Sequence, residues 1–318
     1  MRWARLSTAG GIVGALLSLG VGSTAETVTP ATGATASTTP SPGYWLAGAD
    51  GGVFAFGAPY LGSGSRGAGP GACTFTPQSP SILDGALACV AIAGTPTGSG
   101  YFLVNAHRFV TSFGGAAALA TSGCTMPTFS GPPEAGNSWV SAASSPSGNG
   151  AWLVDGQGGV AACGDARAWG DLTGHALNQP VVGMASTPDG KGYWLVASDG
   201  GVFAFGDAGF DGSTGGMRLN QPIAGIASTT DAKGYFLVAR DGGVFAFGDA
   251  VFAGSTAGRH LAAPMVGIAA DPDGSGYWTV AGDGGVFAFG GAPFRGSMAG
   301  DPLNGPIVGM AATLGAVD

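Results

Sequence analysis

A phrase of seventeen residues recurs three times at a fixed interval, and that interval limits the fold more than any other feature. It reads GYWLVASDGGVFAFGDA from Gly192, GYFLVARDGGVFAFGDA from Gly234 and GYWTVAGDGGVFAFGGA from Gly276, so the starts stand 42 residues apart. A fourth copy, GYWLAGADGGVFAFGA, begins at Gly43. Two degenerate copies lie between, GYFLVNAHRFVTSFGGA from Gly100 and GAWLVDGQGGVAACGDA from Gly150. Six units of about 40 to 57 residues therefore fill the chain from residue 43 onward.

Each unit divides into short strands. Tyr193 to Ala197 alternates large apolar side chains in a β pattern, and Ser198-Asp199-Gly200-Gly201 is a hairpin turn, because Asp-Gly and Gly-Gly accept the positive φ of tight hairpins. Val202 to Phe205 returns. A short Gly-rich strand or turn follows near Phe210 to Thr214, and Pro222-Ile-Ala-Gly-Ile-Ala-Ser228 leads into the next copy. No amphipathic helical period interrupts the pattern. A period of 40 to 45 residues holding three to four strands matches a propeller blade. Gly supplies 63 of 318 residues, several times the usual share, and the periodicity assigns that excess to turns.

The ends of the repeat array indicate closure. The first copy lacks the Pro-Ile-Val-Gly-Met strand before its Gly-Tyr-Trp, and the last is followed by an orphan strand, Pro306-Ile-Val-Gly-Met-Ala-Ala-Thr313. One surplus strand and one missing strand complete a shared sheet, which removes two exposed edges. The expected fold is thus all-β, a six-bladed β-propeller closed by pairing of the C-terminal strand with the first repeat. A sandwich or β-helix is the alternative.

The string GYWLVASDGGVFAFGDA, followed by GSTGG and a Pro-Ile-x-Gly-Ile/Met-Ala strand, resembles repeats of secreted actinobacterial proteins. There such repeats occur alone or attached to cell-wall hydrolases and other exported enzymes. The resemblance covers about residues 43 to 313 and is most specific in the last three copies. It implies an extracellular, propeller-like module and carries over no catalytic residue. The copies at Gly100 and Gly150 depart from the pattern, so irregular second and third blades are expected.

Three domains follow. Residues 1–25 read as a signal peptide: Arg2 and Arg5, then the uncharged stretch Ala9 to Val21, then small residues at Ser23-Thr24-Ala25. The apolar stretch is shorter than the roughly 20 residues that span a bilayer. Residues 26–42 are Thr-, Ala-, Ser- and Pro-rich and read as a disordered linker. Residues 43–318 are the six-repeat body.

Four cysteines, Cys73, Cys89, Cys124 and Cys163, in an exported chain favour disulfides, with three connectivities open. Cys73 and Cys89 bracket one inter-strand connection and are the easiest pair, which leaves Cys124 with Cys163. Zinc is disfavoured because no C-x-x-C element is present.

Eleven basic residues stand against nineteen acidic ones, for a net charge of −8, and no basic run exists. Nucleic-acid binding by phosphate neutralisation is excluded on that ground, as is attachment to anionic membranes. After signal cleavage no membrane insertion is expected. No cofactor motif is present: no nucleophile elbow, no phosphate loop opening a helix, no H-E-x-x-H. The only glutamates are Glu26 and Glu134. Asp50, Asp199, Asp241 and Asp283 belong to the hairpin turns. Asp165, Asp207 and Asp249 are expected to cap loops through backbone N–H groups. Asp271-Pro-Asp273-Gly-Ser275 loosely resembles a calcium loop but lacks its bidentate Glu. The Tyr-Trp pairs (Tyr44-Trp45, Tyr193-Trp194, Tyr277-Trp278) sit on strands, which points to packing rather than sugar contact.

What varies on the constant scaffold marks the candidate binding residues. One column of the aligned units holds Trp169, Asp211, Ala253 and Arg295. A second holds His175, Met217, Arg259 and Asp301, and a third Ala176, Arg218, His260 and Pro302. The binding set is Trp169, Asp211, Arg295, His175, Arg218, Arg259 and His260. The expectation is a non-catalytic secreted binding or scaffold module facing cell-wall polysaccharide or an extracellular protein. The competing class is a glycan hydrolase or lyase at the channel mouth, built from insertions around residues 64 to 90 and 116 to 138, with Glu134, Asp84, His107 and Arg108.

Overall fold

The computed structural model describes residues 41–64, 73, 88–119, 124–127 and 138–314. The expected signal peptide, Asp84, Glu134 and most of both insertions lie outside the described residues.

The described residues form six three-stranded antiparallel sheets. In chain order the first strands are β1 (Gly43–Gly48) and β2 (Val53–Phe56). Next come β3 (Cys89–Gly94), β4 (Gly100–Asn105) and β5 (Val110–Gly114), then β6 (Trp139–Ser144), β7 (Gly150–Asp155) and β8 (Val160–Gly164). The regular repeats give β9 (Val181–Ser186), β10 (Gly192–Ala197) and β11 (Val202–Gly206), then β12 (Ile223–Ser228), β13 (Gly234–Ala239) and β14 (Val244–Gly248). The last are β15 (Met265–Ala270), β16 (Gly276–Ala281), β17 (Val286–Gly290) and β18 (Ile307–Thr313). Five sheets contain three consecutive strands, and the sixth has the order β18-β1-β2. The orphan C-terminal strand therefore does pair with the first repeat, from Gly43 opposite Thr313 to Gly48 opposite Ile307.

Each sheet has three strands rather than four. Phe210 to Thr214 forms no strand and belongs to the irregular connection between β11 and β12. The degenerate second and third repeats are not irregular in their sheets: β3-β4-β5 and β6-β7-β8 keep the same pairing as the others. Strand pairing uses backbone groups, so it survives the loss of consensus side chains.

The first strands neighbour one another in the series β3, β6, β9, β12, β15, β18 and back to β3. This arrangement is consistent with a six-bladed propeller. These strands carry small residues where they approach most closely. A methyl placed on Gly225 would stand 3.6 Å from the Gly267 Cα. Serine hydroxyls tie neighbouring sheets: Ser228 Oγ donates to the Ser186 carbonyl at 3.3 Å, and Ser186 Oγ to that of Ser144 at 3.4 Å.

The middle strands are buried on both faces, which explains their aromatic content. Trp194 of one sheet packs on Tyr235 of the next at 5.6 Å, and Tyr235 packs on Phe247 of its own sheet at 5.5 Å. The same contact recurs as Trp45–Tyr101, Trp152–Tyr193 and Phe236–Tyr277. Trp278 against Tyr44, at 5.3 Å, joins the last repeat to the first. The Tyr-Trp pairs are therefore core, fully shielded from solvent.

Each tyrosine hydroxyl reaches back into the preceding connection. Tyr235 Oη donates to the Gly212 carbonyl at 2.5 Å and accepts from the Asp211 N–H at 3.2 Å. Gly212 has φ +133°, and a methyl there would meet the Phe247 ring at 2.7 Å, so only glycine serves. Repeat three has lost both rings: Ala151 and Cys163 stand opposite each other where Tyr and Phe pair elsewhere. Cys163 is disulfide-bonded to Cys124, whose neighbour Thr125 bridges to Ala162. A piece of the insertion thus packs beside the positions where the rings are missing. Cys73 and Cys89 form the second disulfide. The pairing is the one sequence spacing favoured, and two disulfides are compatible with an extracellular protein.

Burial holds the ring tyrosines protonated. Desolvation pushes Tyr101 and Tyr193 up to about 12 and raises Tyr44, Tyr235 and Tyr277, against the lowering effect of backbone hydrogen bonds. Free phenols in the unfolded chain ionise near 10. Below that pH both states keep their protons and the full stability is present. Between about pH 10 and 12 the unfolded chain releases protons that the folded chain retains, so stability falls as pH rises. Thermal melts across that window should show a falling midpoint, with a shallower fall in Tyr193→Phe. A midpoint unmoved to pH 12 would contradict this assignment.

Candidate functional site

The repeat gives each sheet two unlike ends. At one end the middle and third strands join through the Asp-Gly hairpin, where Asp199 Oδ1 accepts the Gly201 N–H at 3.0 Å and Asp241 Oδ1 the Gly243 N–H at 3.1 Å. The connection to the next sheet returns to this hairpin end, as Thr214 N–H donates to the Gly200 carbonyl at 3.1 Å. At the opposite, turn end, the first strand turns into the middle strand through segments such as Thr187–Lys191.

The turn end is self-contained. Thr187 Oγ1 accepts the Gly192 N–H at 3.0 Å and approaches Asp189 and Asp207 at 2.9 and 3.3 Å. Asp207, Asp249 and Asp165 meet side-chain hydroxyls here: Thr187, Thr229 and the Ser145–Ser147 pair. This corrects the expectation of backbone N–H caps; a hydroxyl on the neighbouring turn reaches the carboxylate. Lys191 pairs with Asp189 at 2.9 Å and Lys233 with Asp231 at 2.8 Å. The lysines hold both carboxyls below the usual range, Asp231 to about 2.

The seven candidate residues divide between the ends. Trp169, Asp211 and Arg295 lie at the turn end, on the seam between sheets. Their backbone N–H groups donate to Tyr193, Tyr235 and Tyr44 respectively. Trp169 Nε1 also donates to the Gly190 carbonyl at 3.0 Å. Arg295 Nε donates to the Pro42 carbonyl at 3.0 Å, and its guanidinium reaches Ser41, so it holds the chain's entry into the first sheet. A cleft of about 310 Å³ runs beside Trp169, Arg167, Asp165 and Lys191.

His175, Arg218, Arg259 and His260 lie at the hairpin end and are exposed. One turn geometry displays each of these connections. Met217 N–H donates to Thr214, Arg259 N–H to Thr256 and His175 N–H to Leu172, at 2.8 to 3.0 Å. Three of the four gather around the β13–β14 hairpin. A cleft of about 830 Å³ is lined by Asn220, Gln221, Arg240, Asp241, Arg259 and His260. A second, of about 310 Å³, shares Asn220, Gln221 and Asp241 and adds Met217 and Arg218. Sharing these residues, the two clefts adjoin and make one composite groove, with Arg240 and Arg259 on the larger part and Arg218 on the smaller. His175 stands on another connection of the same end.

Arg240 was not among the expected residues, although its column carried the signal. The equivalent positions are Ala49, Ser198 and Gly282, as variable as the columns that were selected. A second omission is aromatic. Tyr60, Phe210, Phe252 and Phe294 hold the same place in repeats one, four, five and six, and each is 56 to 62% exposed. Their repetition on a Gly-rich connection was readable, but exposure was not.

The residues of the enzymatic alternative are placed only in part. His107 is exposed on the β4–β5 turn. Arg108, beside it at φ +72°, lies 5.9 Å from the Trp139 ring centre. Asp155 beneath them is buried, which raises its carboxyl against two N–H bonds from Gln157 and Gly159 and the Arg108 charge. Asp84 and Glu134 lie outside the described residues. Among the described residues no group of three or more His, Cys, Asp or Glu suits a metal ion.

No family model matches the chain, and no curated protein matches it.

Proposed function

We propose that the six sheets close into a six-bladed β-propeller, and that the protein is a secreted, non-catalytic binding or scaffold module engaging cell-wall glycan or an extracellular protein. One observation carries this reading: residues that vary between otherwise constant repeats are displayed, exposed, along one groove at the hairpin end. A fixed frame with changing side chains on one end is how a binding surface is built on a rigid scaffold. The leader-like N-terminus, the resemblance to secreted actinobacterial repeats and the two disulfides support export.

The first strands give the enzymatic alternative little support. β3, β6, β9, β12, β15 and β18 contain only Cys, Val, Ala, Ile, Gly, Trp, Ser, Met and Thr, so no acid or base stands on them. An active site at the channel mouth would depend on the insertions.

The test is a pull-down of residues 26–318 on purified cell-wall polysaccharide, with release of soluble sugar assayed in the same tube. Retention without release is expected. Release of sugar would overturn the non-catalytic reading and direct attention to Asp84, His107, Arg108 and Glu134. Neither retention nor release would remove the wall glycan as ligand and leave the protein partner.

A further inference from the structure

We infer that the hairpin-end groove around β13–β14 is a site for an acidic polysaccharide, with Arg218, Arg240 and Arg259 holding its carboxylate or phosphate groups. This rests on the binding-module reading and names the chemistry of its ligand. Three observations lead to it.

The first is charge placement. The chain has only eleven basic residues against nineteen acidic ones, yet three arginines line two adjoining clefts. Among the described residues the ion pairs belong to Lys191 and Lys233 at the other end, and no carboxylate neutralises these three guanidiniums. Asp241 also lines both clefts and keeps its charge while it accepts the Gly243 N–H, so three guanidiniums stand there against one carboxylate. Guanidiniums without an ion-pair partner on adjoining clefts are a recognition element for carboxylate or phosphate, which they bind through paired donors.

The second is the rest of the lining. Asn220 and Gln221 line both clefts and supply amide donors and acceptors suited to hydroxyls. The 830 Å³ part has no Phe, Tyr or Trp in its wall and the adjoining part has Phe245 alone, whereas protein interfaces are anchored by buried aromatic residues. A hydrophilic polymer fits that surface better than a folded partner.

The third is the surrounding field. A net charge of −8 repels polyanions from the rest of the molecule, so attraction is confined to the groove. Binding should weaken steeply with salt, because the contacts are exposed charges.

Affinity electrophoresis of residues 26–318 through gels holding polygalacturonate, polyglycerol phosphate or neutral dextran tests the site. Retardation by at least one acidic polymer and none by dextran is expected; which polymer acts distinguishes carboxylate from phosphate. The triple variant R218Q/R240Q/R259Q should weaken retardation roughly tenfold or more. A charge-matched variant at the turn end, R167Q/K191Q/K233Q, should stay within about twofold. Thermal midpoints of both variants report their folding. No retardation by either acidic polymer, or equal losses in the two variants, overturns the site. If the protein still binds whole wall polysaccharide while ignoring both acidic polymers, the binding-module reading survives and the acidic ligand does not.

Discussion

A chain ending at Asn304, and so lacking β18, should lose cooperative thermal unfolding and bind an apolar dye at room temperature. β18 is the strand next to β1, and it also sits between β15 and β3. Its Ile307 and Met310 are buried, and Ala311 packs under Trp45 and Tyr101. Burying an Ile or Met side chain is worth about 1.5–3 kcal/mol. Two such side chains, with the ladder of six register pairs to β1, approach the roughly 5–15 kcal/mol that keeps a typical domain folded. The truncation also leaves β1 as an open edge, which invites pairing between molecules. Circular dichroism against temperature, with light scattering, reads both effects. A synthetic peptide of residues 305–318 added in trans should restore the transition. A truncated chain melting within about 3 °C of the full one would refute the structural weight given to the β18–β1 pairing.

Replacing Tyr235 should separate the two functions of the ring tyrosines. Tyr235→Ala removes a side chain packed between Trp194 and Phe247 and leaves a cavity between two sheets. Truncations of this kind cost about 3–5 kcal/mol. Tyr235→Phe keeps the ring but orphans the Gly212 carbonyl and the Asp211 N–H, at a cost of about 1–3 kcal/mol. Denaturant melts should therefore rank wild type above Phe and Phe above Ala. Equal stability of wild type and Tyr235→Phe would show that the hydroxyl bridge contributes nothing net. The natural repeat with Ala151 at this position is not a counterexample, because the Cys124–Cys163 disulfide is packed beside it.

Much of the sheet architecture was readable because its signals are local. Asp199-Gly200-Gly201 fixes a hairpin, and the Tyr193–Ala197 alternation fixes the strand before it. The missing first strand and the surplus Pro306–Thr313 predicted the β18–β1 pairing. The two degenerate repeats misled in the other direction. Their side chains depart from consensus, but the small residues of β3 and β6 still allow neighbouring first strands to approach. The candidate site was legible only as columns. Sequence alignment places Arg295 and Arg259 in similar roles, yet Arg295 is tied to Pro42 and Ser41 while Arg259 faces an open groove. The difference is which end of the sheet each column reaches, and that depends on where the connection recrosses the sheet. Hydroxyl partners for Asp165, Asp207 and Asp249 were hidden for the same reason, since Ser145, Thr187 and Thr229 lie about twenty residues away in sequence.

The antiparallel pairing of β1 with β18 has a mechanical side. Gly43, the first residue of β1, faces Thr313, the last residue of β18, so the chain enters and leaves the sheet at the same point. Tension between those two points does not shear the ladder as a whole. It loads the Gly43–Thr313 pair first, then Tyr44–Ala312, and opens the pairs one after another like a zipper. A fold stable to heat would in that geometry yield to a small pull, and drawing the strand out would release the Trp278–Tyr44 contact that joins the last repeat to the first. A single-molecule stretching trace should therefore begin with a low-force step, the release of β18, before any other sheet unravels.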